Sequence, residues 1–268
     1  MKLNQRIGFI GCGNMGSAIL KGIISQKIAS PKKIIIFDAD PSKMNFISKK
    51  YRIQKASNNQ ELVRNSQVIL LAIKPQEFSR VANEIRAELK SNHIVISILA
   101  GTPISKLKKN LKSRKISRVM PNLGAVVGEG IAAVVSTSRE ADTVSTLIFS
   151  GCGKVIKLSE KYFDLVTAVS GSGPAYFFLL METLSEAAQR GGLSKHSADV
   201  LAIQTAVGAA RLAQTSASGP DELRKMVTSK KGTTDAALRH LSKKGFSQIF
   251  IQAVQKARAR AKELSQLT

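Results

Sequence analysis

Short β-branched runs alternate with helix-like stretches through about the first 155 residues of the chain. The runs that predict strands are residues 7–10, 34–37, 68–73, 93–99 and 131–135. A strand-helix-strand rhythm of this kind is typical of a parallel sheet covered by crossover helices. The pattern therefore predicts an α/β fold with an N-terminal, doubly wound sheet.

Beyond about residue 159 the β-branched runs fade, and stretches rich in Ala, Leu, Gln and Lys take over. Residues 175–190, 197–214 and 247–264 have the length and composition of helices. The change of pattern predicts two domains, residues 1–158 and 159–268, of which the second is all-helical.

A glycine-rich turn follows the first predicted strand directly. Residues 11–16 read Gly-Cys-Gly-Asn-Met-Gly and open a helix-like stretch. In a turn of this type Gly11 permits the tight bend, Gly13 lets the backbone approach a pyrophosphate, and Gly16 allows close packing of helix on strand. Asn14 and Met15 belong to the helix start, whose free N–H groups attract an anion. The context predicts a Rossmann-type dinucleotide site.

An acidic residue ends the second predicted strand. Asp38 stands 22 residues beyond Gly16, where a carboxylate would accept hydrogen bonds from the adenosine ribose and repel a 2′-phosphate. Two other interpretations stay open: Asp38 caps the turn before Pro41, or nearby Lys43 offsets its charge. The residue favours NADH over NADPH only slightly.

The end of the third predicted strand reads Ala72-Ile73-Lys74-Pro75. It places a cation and a rigid turn at the carboxyl edge of the sheet, where doubly wound folds bind ligands. Ala72, Lys74 and Pro75 are therefore candidate cofactor contacts. The alternative is that Lys74 is a surface lysine at the end of a strand.

Composition narrows the function classes. The purely apolar stretches are far shorter than the roughly 20 residues of a membrane-spanning helix, and the N-terminus lacks the apolar core of a signal peptide. A cytoplasmic protein without a membrane span is expected. Cys12 and Cys152 are the only cysteines and are expected to be reduced, and no metal site is expected.

The formal net charge is +23, and residues 106–118 carry seven basic residues and no acidic one. Such a segment could attract nucleic acid. No recognition motif accompanies the charge, so a solvated basic surface is the favoured interpretation and a nucleic-acid partner is not expected.

Two hydroxyl-rich loops precede helix-like stretches in the second half. Residues 170–176 read Ser-Gly-Ser-Gly-Pro-Ala-Tyr, and residues 227–235 read Val-Thr-Ser-Lys-Lys-Gly-Thr-Thr-Asp. Each would expose backbone N–H groups that could hold a small carboxylate. A plain helix N-cap would explain either loop taken alone.

At this point the sequence resembles the pyrroline-5-carboxylate reductase family over essentially its whole length. The motifs that carry the resemblance occur in order at residues 11–18, 72–76, 118–122, 127–130, 168–176, 204–210, 223–229, 232–234 and 245–246. Many dehydrogenases share the glycine turn. The motifs at 168–176 and 227–234 together are far more specific.

The resemblance implies a Rossmann domain followed by a helical dimerisation domain, a dimer or a ring of dimers, and reduction of 1-pyrroline-5-carboxylate to proline with NADPH or NADH. It implies that backbone amides around Ser229, Gly232 and Thr233 hold the substrate carboxylate. The hydroxyl of Thr234 becomes the catalytic group, hydrogen-bonded to the ring nitrogen. Ser172 joins the substrate site, and Asn122 of the 118–122 motif joins the cofactor site.

The chain departs from the family pattern at two places. Leu123-Gly124 stands where the family usually has Thr-Pro, and Lys230-Lys231 stands where it usually has Pro-Gly. If position 231 requires a positive φ, its lysine is strained by about 1 kcal/mol or more. Alternatively, the two lysines strengthen the attraction for an anion.

These departures keep other functions in view. A non-catalytic dinucleotide-binding regulator would keep the fold and the cofactor. A related hydroxyacid or imine reductase would keep the glycine turn, but the hydroxyacid enzymes generally place a catalytic lysine on the long helix after the domain junction. Residues 175–190 of this chain contain no lysine.

Overall fold

The computed structural model describes residues 2–267, and the chain forms two compact units. The first, here called the sheet unit, runs up to Ser172 and takes in residues 257–267. The second, here called the helical unit, is Gly173–Lys256. The two units are divided after Ser172, whereas the predicted domains are divided after residue 158. The domain bounds 1–158 and 159–268 remain a prediction.

The sheet unit is built on one sheet of eight strands. The strands are β1 Ile7–Ile10, β2 Ile34–Phe37, β3 Gln54–Lys55, β4 Val68–Leu71, β5 Ile94–Ser97, β6 Lys115–Met120, β7 Gly130–Ser136 and β8 Gly153–Lys157. Their order across the sheet is β3-β2-β1-β4-β5-β6-β7-β8. All neighbours pair in parallel except β6 and β7. The predicted doubly wound α/β fold is confirmed.

Helices join the strands. They are α1 Asn14–Ser25, α2 Pro41–Tyr51, α3 Asn59–Arg64, α4 Phe78–Ile85, α5 Ile104–Leu111, α6 Arg139–Ser150 and α7 Phe163–Val166. Local chemistry sets several of their starts. Asp40 caps α2 by accepting hydrogen bonds from two N–H groups, and Pro41 at the first helical position needs no N–H partner.

The core lies on both faces of the sheet, because successive strand residues alternate between two hydrophobic clusters. Phe9 and Leu70 pack with residues of α1 and α6 on one face. Ile10 and Leu71 pack with residues of α4 and α5 on the other. A sheet that is covered on both faces leaves its carboxyl edge for ligands.

Three strands were absent from the sequence prediction: β3, β6 and β8. Strand β6 was hidden because Ser117 and Arg118 look like part of a basic surface run, yet both are buried. The Ser117 hydroxyl shares a hydrogen bond with the Ser136 hydroxyl at 2.7 Å and lies within hydrogen-bond distance of the Ala141 carbonyl at 3.0 Å. The basic run 106–118 is therefore not one solvated segment, since it divides into α5, a turn and β6.

The helical unit confirms the predicted all-helical half. Its helices are α8 Gly173–Arg190, α9 Lys195–Thr215, α10 Pro220–Met226, α11 Thr233–Lys243 and the first half of α12 Phe246–Leu267. The Ser185 hydroxyl on α8 donates to the Asp199 carboxylate on α9 at 2.6 Å. Many large apolar side chains are exposed on these two helices, among them Phe177, Phe178, Leu179, Val200, Leu201 and Ile203.

One helical run in the described part of the chain, Glu160–Arg190, is long and apolar enough to cross a membrane by length and composition. The sequence analysis expected no membrane-spanning helix, because the purely apolar stretches are far shorter than roughly 20 residues. Only 22% of its most apolar window is buried. A helix that packs in a subunit interface has the same composition.

Candidate active site

The three glycines of the turn after β1 differ in what a side chain would contact at each position. Gly11 has a φ of +99°, and a Cβ there would lie 2.5 Å from the Ala72 carbonyl oxygen. A Cβ on Gly16 would lie 2.6 Å from the Gly11 carbonyl oxygen. A Cβ on Gly13 would meet no described atom within 4 Å. Gly11 and Gly16 therefore shape the turn, whereas Gly13 leaves open space beside it.

The start of α1 offers unpaired backbone donors. The first backbone hydrogen bond of the helix runs from the Ser17 N–H to the Gly13 carbonyl, at 2.9 Å. The N–H groups of Asn14, Met15 and Gly16 come before it, and no side chain in the described part of the chain caps this helix. An uncapped helix start behind a glycine turn is a ready anion site.

A cavity of about 790 Å³ lies at this edge of the sheet. Five of the predicted cofactor residues line it: Gly11, Gly13, Asp38, Ala72 and Lys74. Its size falls in the range of small-molecule and cofactor sites. Asn14, Met15 and Gly16 continue the glycine turn into α1, and Pro75 follows Lys74 as the start of a 3₁₀ turn.

Asp38 is tied to the glycine turn. One of its carboxylate oxygens accepts a hydrogen bond from the Cys12 N–H at 2.6 Å, and the other accepts from the Asp40 N–H at 2.9 Å. The bond from the Asp40 N–H makes Asp38 a cap of the turn before Pro41, which was one of the open interpretations, while Asp40 itself caps α2. The backbone N–H of Lys43, followed by that of Ser42, lowers the pKa of Asp40.

Three cations line the cavity together with several carboxylates: Lys43, Lys74 and Arg80. Lys43 makes an exposed ion pair with Asp40 at 3.4 Å, and Arg80 pairs with Glu84 at 2.5 Å. The cavity therefore carries charges of both signs, and Asp38 is one of four carboxylates that line it.

Asn59 is a lining residue that the sequence analysis missed. It is 3% exposed, and its amide nitrogen donates to Glu84 Oε2 at 2.7 Å. Its Oδ1 is buried with no partner among the described residues. An adjacent asparagine pair suggests only a helix cap, and Asn58 does cap α3. Nothing in the sequence distinguished the second asparagine.

These features fit an adenine dinucleotide. The cavity combines an anion site at a helix start, open space over Gly13 and a buried acceptor without a donor. A pyrophosphate needs the first two, and an adenine or ribose group can supply the missing donor. A buried acceptor without a partner is costly, which favours a ligand that satisfies it.

Burial keeps both thiols of the sheet unit protonated. Cys12 and Cys152 are free and buried. Desolvation, followed by the charge of Asp38, raises the pKa of Cys12 to about 12, and desolvation raises that of Cys152 to about 11. Neither thiol is therefore a nucleophile at neutral pH.

Asn122 holds a turn and does not line the cavity. Its Oδ1 accepts a hydrogen bond from the Ile131 N–H at 3.0 Å. The 3₁₀ turn Leu123–Val127 follows, and a Cβ on Gly124 would lie 2.6 Å from the Glu129 carbonyl oxygen. A proline at 124 would clash with this carbonyl, so the loop in this conformation requires the glycine at position 124.

Ser172 ends an unusual segment of the sheet unit. Residues Thr167–Gly171 form a π-helix, and the Ser172 N–H donates to the Thr167 carbonyl at 2.8 Å. Short π-helical turns occur frequently at functional sites. The segment coincides with the specific motif at 168–176.

The other predicted substrate residues lie together in the helical unit, at the start of α11. Gly232 is the N-cap residue, Thr233 and Thr234 begin the helix, and the Gly232 N–H donates to the Ser229 carbonyl at 3.0 Å. No side chain of the described residues caps α11. The Gly232 N–H is therefore engaged within the turn, and the N–H groups of Thr233 and Thr234 precede the first backbone hydrogen bond of the helix, from the Ala236 N–H to the Gly232 carbonyl at 3.0 Å.

Lys231 has a φ of +63° in this turn. The suspected need for a positive φ at position 231 is thus confirmed, and lysine occupies a conformation that favours glycine. Its N–H donates to Asp235 Oδ2 at 3.0 Å, which holds the loop against α11.

Family models match two parts of the chain. Residues 160–264 match the pyrroline-5-carboxylate reductase dimerisation model, and residues 6–101 match the model described as NADP oxidoreductase, coenzyme F420-dependent. The second match covers β1, the glycine turn and the cavity residues Asp38, Asn59 and Lys74.

Full-length relatives agree with these matches. A pyrroline-5-carboxylate reductase of Methanosarcina acetivorans is 38% identical over 97% of this chain and 98% of its own length. The structure of a pyrroline-5-carboxylate reductase from Coxiella burnetii is 34% identical, with a TM-score of 0.92 over 98% of this chain and 99% of its own. That of Plasmodium falciparum pyrroline carboxylate reductase with NADP bound is 33% identical, with a TM-score of 0.88 over 99% of this chain and 100% of its own. The chain belongs to the pyrroline-5-carboxylate reductase family.

Proposed function

We infer that this chain reduces 1-pyrroline-5-carboxylate to L-proline, the last step of a proline biosynthesis route. The observation that carries this inference is full-length similarity to reductases of that name, joined to an intact glycine turn and cofactor cavity. Bound NADH or NADPH supplies the hydride that is transferred to the imine carbon.

We propose that the cofactor is held by the residues of the β1–α1 turn and its neighbours. The N–H groups of Asn14, Met15 and Gly16 bind the pyrophosphate beside Gly13. Asp38 faces the adenosine ribose, and Ala72, Lys74, Pro75 and Asn122 complete the site. The lining of the cavity by Gly11, Gly13, Asp38, Ala72 and Lys74 supports the proposal for those five.

Cofactor preference follows from opposed charges. Asp38 favours NADH, because its carboxylate would repel a 2′-phosphate. Lys43 and Arg80 on the same cavity favour NADPH. We propose that the enzyme uses both cofactors, with a small advantage for NADH.

We propose that the start of α11 binds the substrate. Backbone amides around Ser229, Gly232 and Thr233 hold the carboxylate, and the Thr234 hydroxyl hydrogen-bonds the ring nitrogen. Ser172 contributes from its own segment. A protonated imine is already electrophilic, so these residues need only orient it, and no general base is required.

Assembly follows from the dimerisation domain and the apolar helices. The chain self-associates, and we propose a dimer or a ring of dimers as the form. The exposed apolar side chains of α8 and α9 support an interface of this kind. We propose that the enzyme works in the cytoplasm, with neither a membrane nor a nucleic acid as partner.

Growth without proline tests the function in a cell. A bacterial strain that lacks its own reductase should grow without proline when it expresses this chain. A matched strain expressing Gly13→Val, which blocks the open space over the turn, should not grow. If the wild-type chain accumulates in folded form but does not restore growth, the enzyme assignment fails. The non-catalytic regulator suggested by residues 123–124 and 230–231 would then be favoured.

A further inference from the structure

A half-buried ion pair of the sheet unit, Arg118 with Glu160, lies outside every role described so far. Arg118 on β6 has only 7% of its side chain exposed, and its guanidinium donates to Glu160 Oε1 at 3.0 Å. The guanidinium also lies over the Phe163 ring, 4.8 Å from its centre. Arg118 is thus fixed by two contacts on the same downstream segment.

Glu160 joins this pair to a third element. The same Oε1 atom accepts a hydrogen bond from the Ile104 N–H at 2.7 Å. Ile104 is the first residue of α5, and its N-cap residue, Pro103, provides no side-chain cap. One carboxylate therefore connects the start of α5, strand β6 and the start of the segment 160–172.

The segment that begins at Glu160 leads without a break to Ser172. Phe163 starts α7, and its carbonyl accepts a hydrogen bond from the Thr167 hydroxyl at 2.8 Å. The π-helix follows, and the Thr167 carbonyl accepts from the Ser172 N–H. The contacts of Arg118 with Glu160 and Phe163 therefore also fix the direction of the π-helix that follows.

The end of β6 meets this segment a second time. A Cβ on Gly171 would lie 2.8 Å from Met120 Cε, so the π-helix passes against Met120 with only a glycine between. Met120 is two residues beyond Arg118 and two before Asn122. The segment is thus held at both ends by one short strand.

We propose that Arg118 and Glu160 are positioning residues of the reductase, which set the π-helix and Ser172 against the end of β6. This rests on the proposed substrate role of Ser172. Neither residue touches substrate or cofactor in this proposal. The Glu160 side chain is 33% exposed, so solvent screens the pair and its contribution to the free energy of unfolding is small. Its main effect is therefore to fix the direction of the segment.

Hydrogen exchange together with kinetics tests the proposal on the full-length protein. In Arg118→Met, backbone amides of residues 167–172 should exchange faster, while those of β1 and β4 remain protected. KM for pyrroline-5-carboxylate should rise or kcat should fall on the order of 10- to 100-fold, as expected for a misplaced contact. KM for the cofactor should stay within about twofold, and Arg118→Lys should recover part of the loss.

Lys115→Met is the matched control, because Lys115 lies on the same strand in an exposed pair with Glu140 at 2.6 Å. It should change neither exchange nor kinetics. If Arg118→Met does not fold, Glu160→Gln replaces it, since glutamine still offers an oxygen to the Ile104 N–H, and the same direction of change is expected.

The proposal is overturned if residues 167–172 exchange as in the wild type, or if the whole sheet unit loosens equally and cofactor and substrate parameters decline together. If the wild-type protein does not reduce pyrroline-5-carboxylate, the exchange result still decides whether the pair positions the π-helix. Failure of the proposed function and failure of this proposal are therefore separable.

Discussion

Gly11 and Gly13 are two residues apart, yet substitution of Gly11 should mainly lower the stability of the fold, whereas substitution of Gly13 should mainly lower the affinity for the cofactor. Gly13→Ala should leave the free energy of unfolding nearly unchanged, because φ is −66° and the new methyl group meets no described atom. It should weaken cofactor binding by about tenfold or more, because the methyl group enters the space proposed for the pyrophosphate. Calorimetric titration with NADH and NADPH, together with a denaturation curve, measures both quantities.

Gly11→Ala is the contrasting variant. Its methyl group would overlap the Ala72 carbonyl, and its φ is +99°. The free energy of unfolding should fall by about 1–3 kcal/mol. If Gly13→Ala destabilised the protein as much as Gly11→Ala and left cofactor affinity unchanged, the cavity would not be the cofactor site.

Lys231 is one of four non-glycine residues with a positive φ in the described part of the chain, and it lies in the proposed substrate turn. Lys231→Gly should stabilise the protein by roughly 1 kcal/mol, because glycine adopts a φ of +63° without steric cost. The measurement is urea denaturation at equilibrium. Lys230→Gly is the control, since Lys230 is not among the positive-φ residues, and it should not stabilise the protein. A loss of stability in Lys231→Gly would show that other contacts of the lysine outweigh the strain.

At the residue scale the sequence predicted the glycine turn well, because each glycine has a local steric cause. It kept open that Asp38 caps the turn before Pro41, but it could not predict the bond from the Cys12 N–H to Asp38 or the bond from Asn59 to Glu84. In these two bonds the partners are 26 and 25 residues apart along the chain. Long-range hydrogen bonds leave no periodic signal in a sequence.

At the scale of elements, the start of α11 carries the proposed chemistry. Thr234→Val removes one hydroxyl and keeps the shape of the side chain. If that hydroxyl hydrogen-bonds a charged ring nitrogen, the loss is about 1.5–3 kcal/mol, or roughly 10- to 100-fold in kcat/KM. Steady-state kinetics measures it, with Ser242→Ala at the exposed end of the same helix as control. An unchanged rate would remove Thr234 from the mechanism.

Strands differed in how well they could be predicted. β1 and β2 are uninterrupted runs of buried apolar residues, apart from one glycine, and their predicted bounds were correct. β6 and β8 mix apolar residues with Lys, Arg and Ser, and their sequences suggested surface segments. The polar residues of β6 are buried only because α6, β7 and Glu160 supply partners. A sequence pattern cannot show such partners in advance.

At the scale of the whole molecule, the helical unit leaves too much apolar surface uncovered for a lone chain. Phe177, Leu179 and Ile249 are each 62% exposed. Sedimentation at micromolar concentration should therefore give a mass of at least twice the 28.9 kDa of one chain. Phe177→Asp together with Leu179→Asp should lower that mass, whereas Lys154→Asp on the edge strand β8 should not. A wild-type protein that sediments as a single chain would contradict self-association through this unit.

The central claim concerns catalysis, and steady-state oxidation of NADH and NADPH with 1-pyrroline-5-carboxylate tests it most directly. The nicotinamide absorbance is followed for both cofactors in parallel, and proline is quantified as the product. We predict substrate-dependent oxidation with one proline formed per cofactor oxidised, and the ratio of the two kcat/KM values measures the effect of Asp38. Binding of both cofactors without any proline formation would contradict the account.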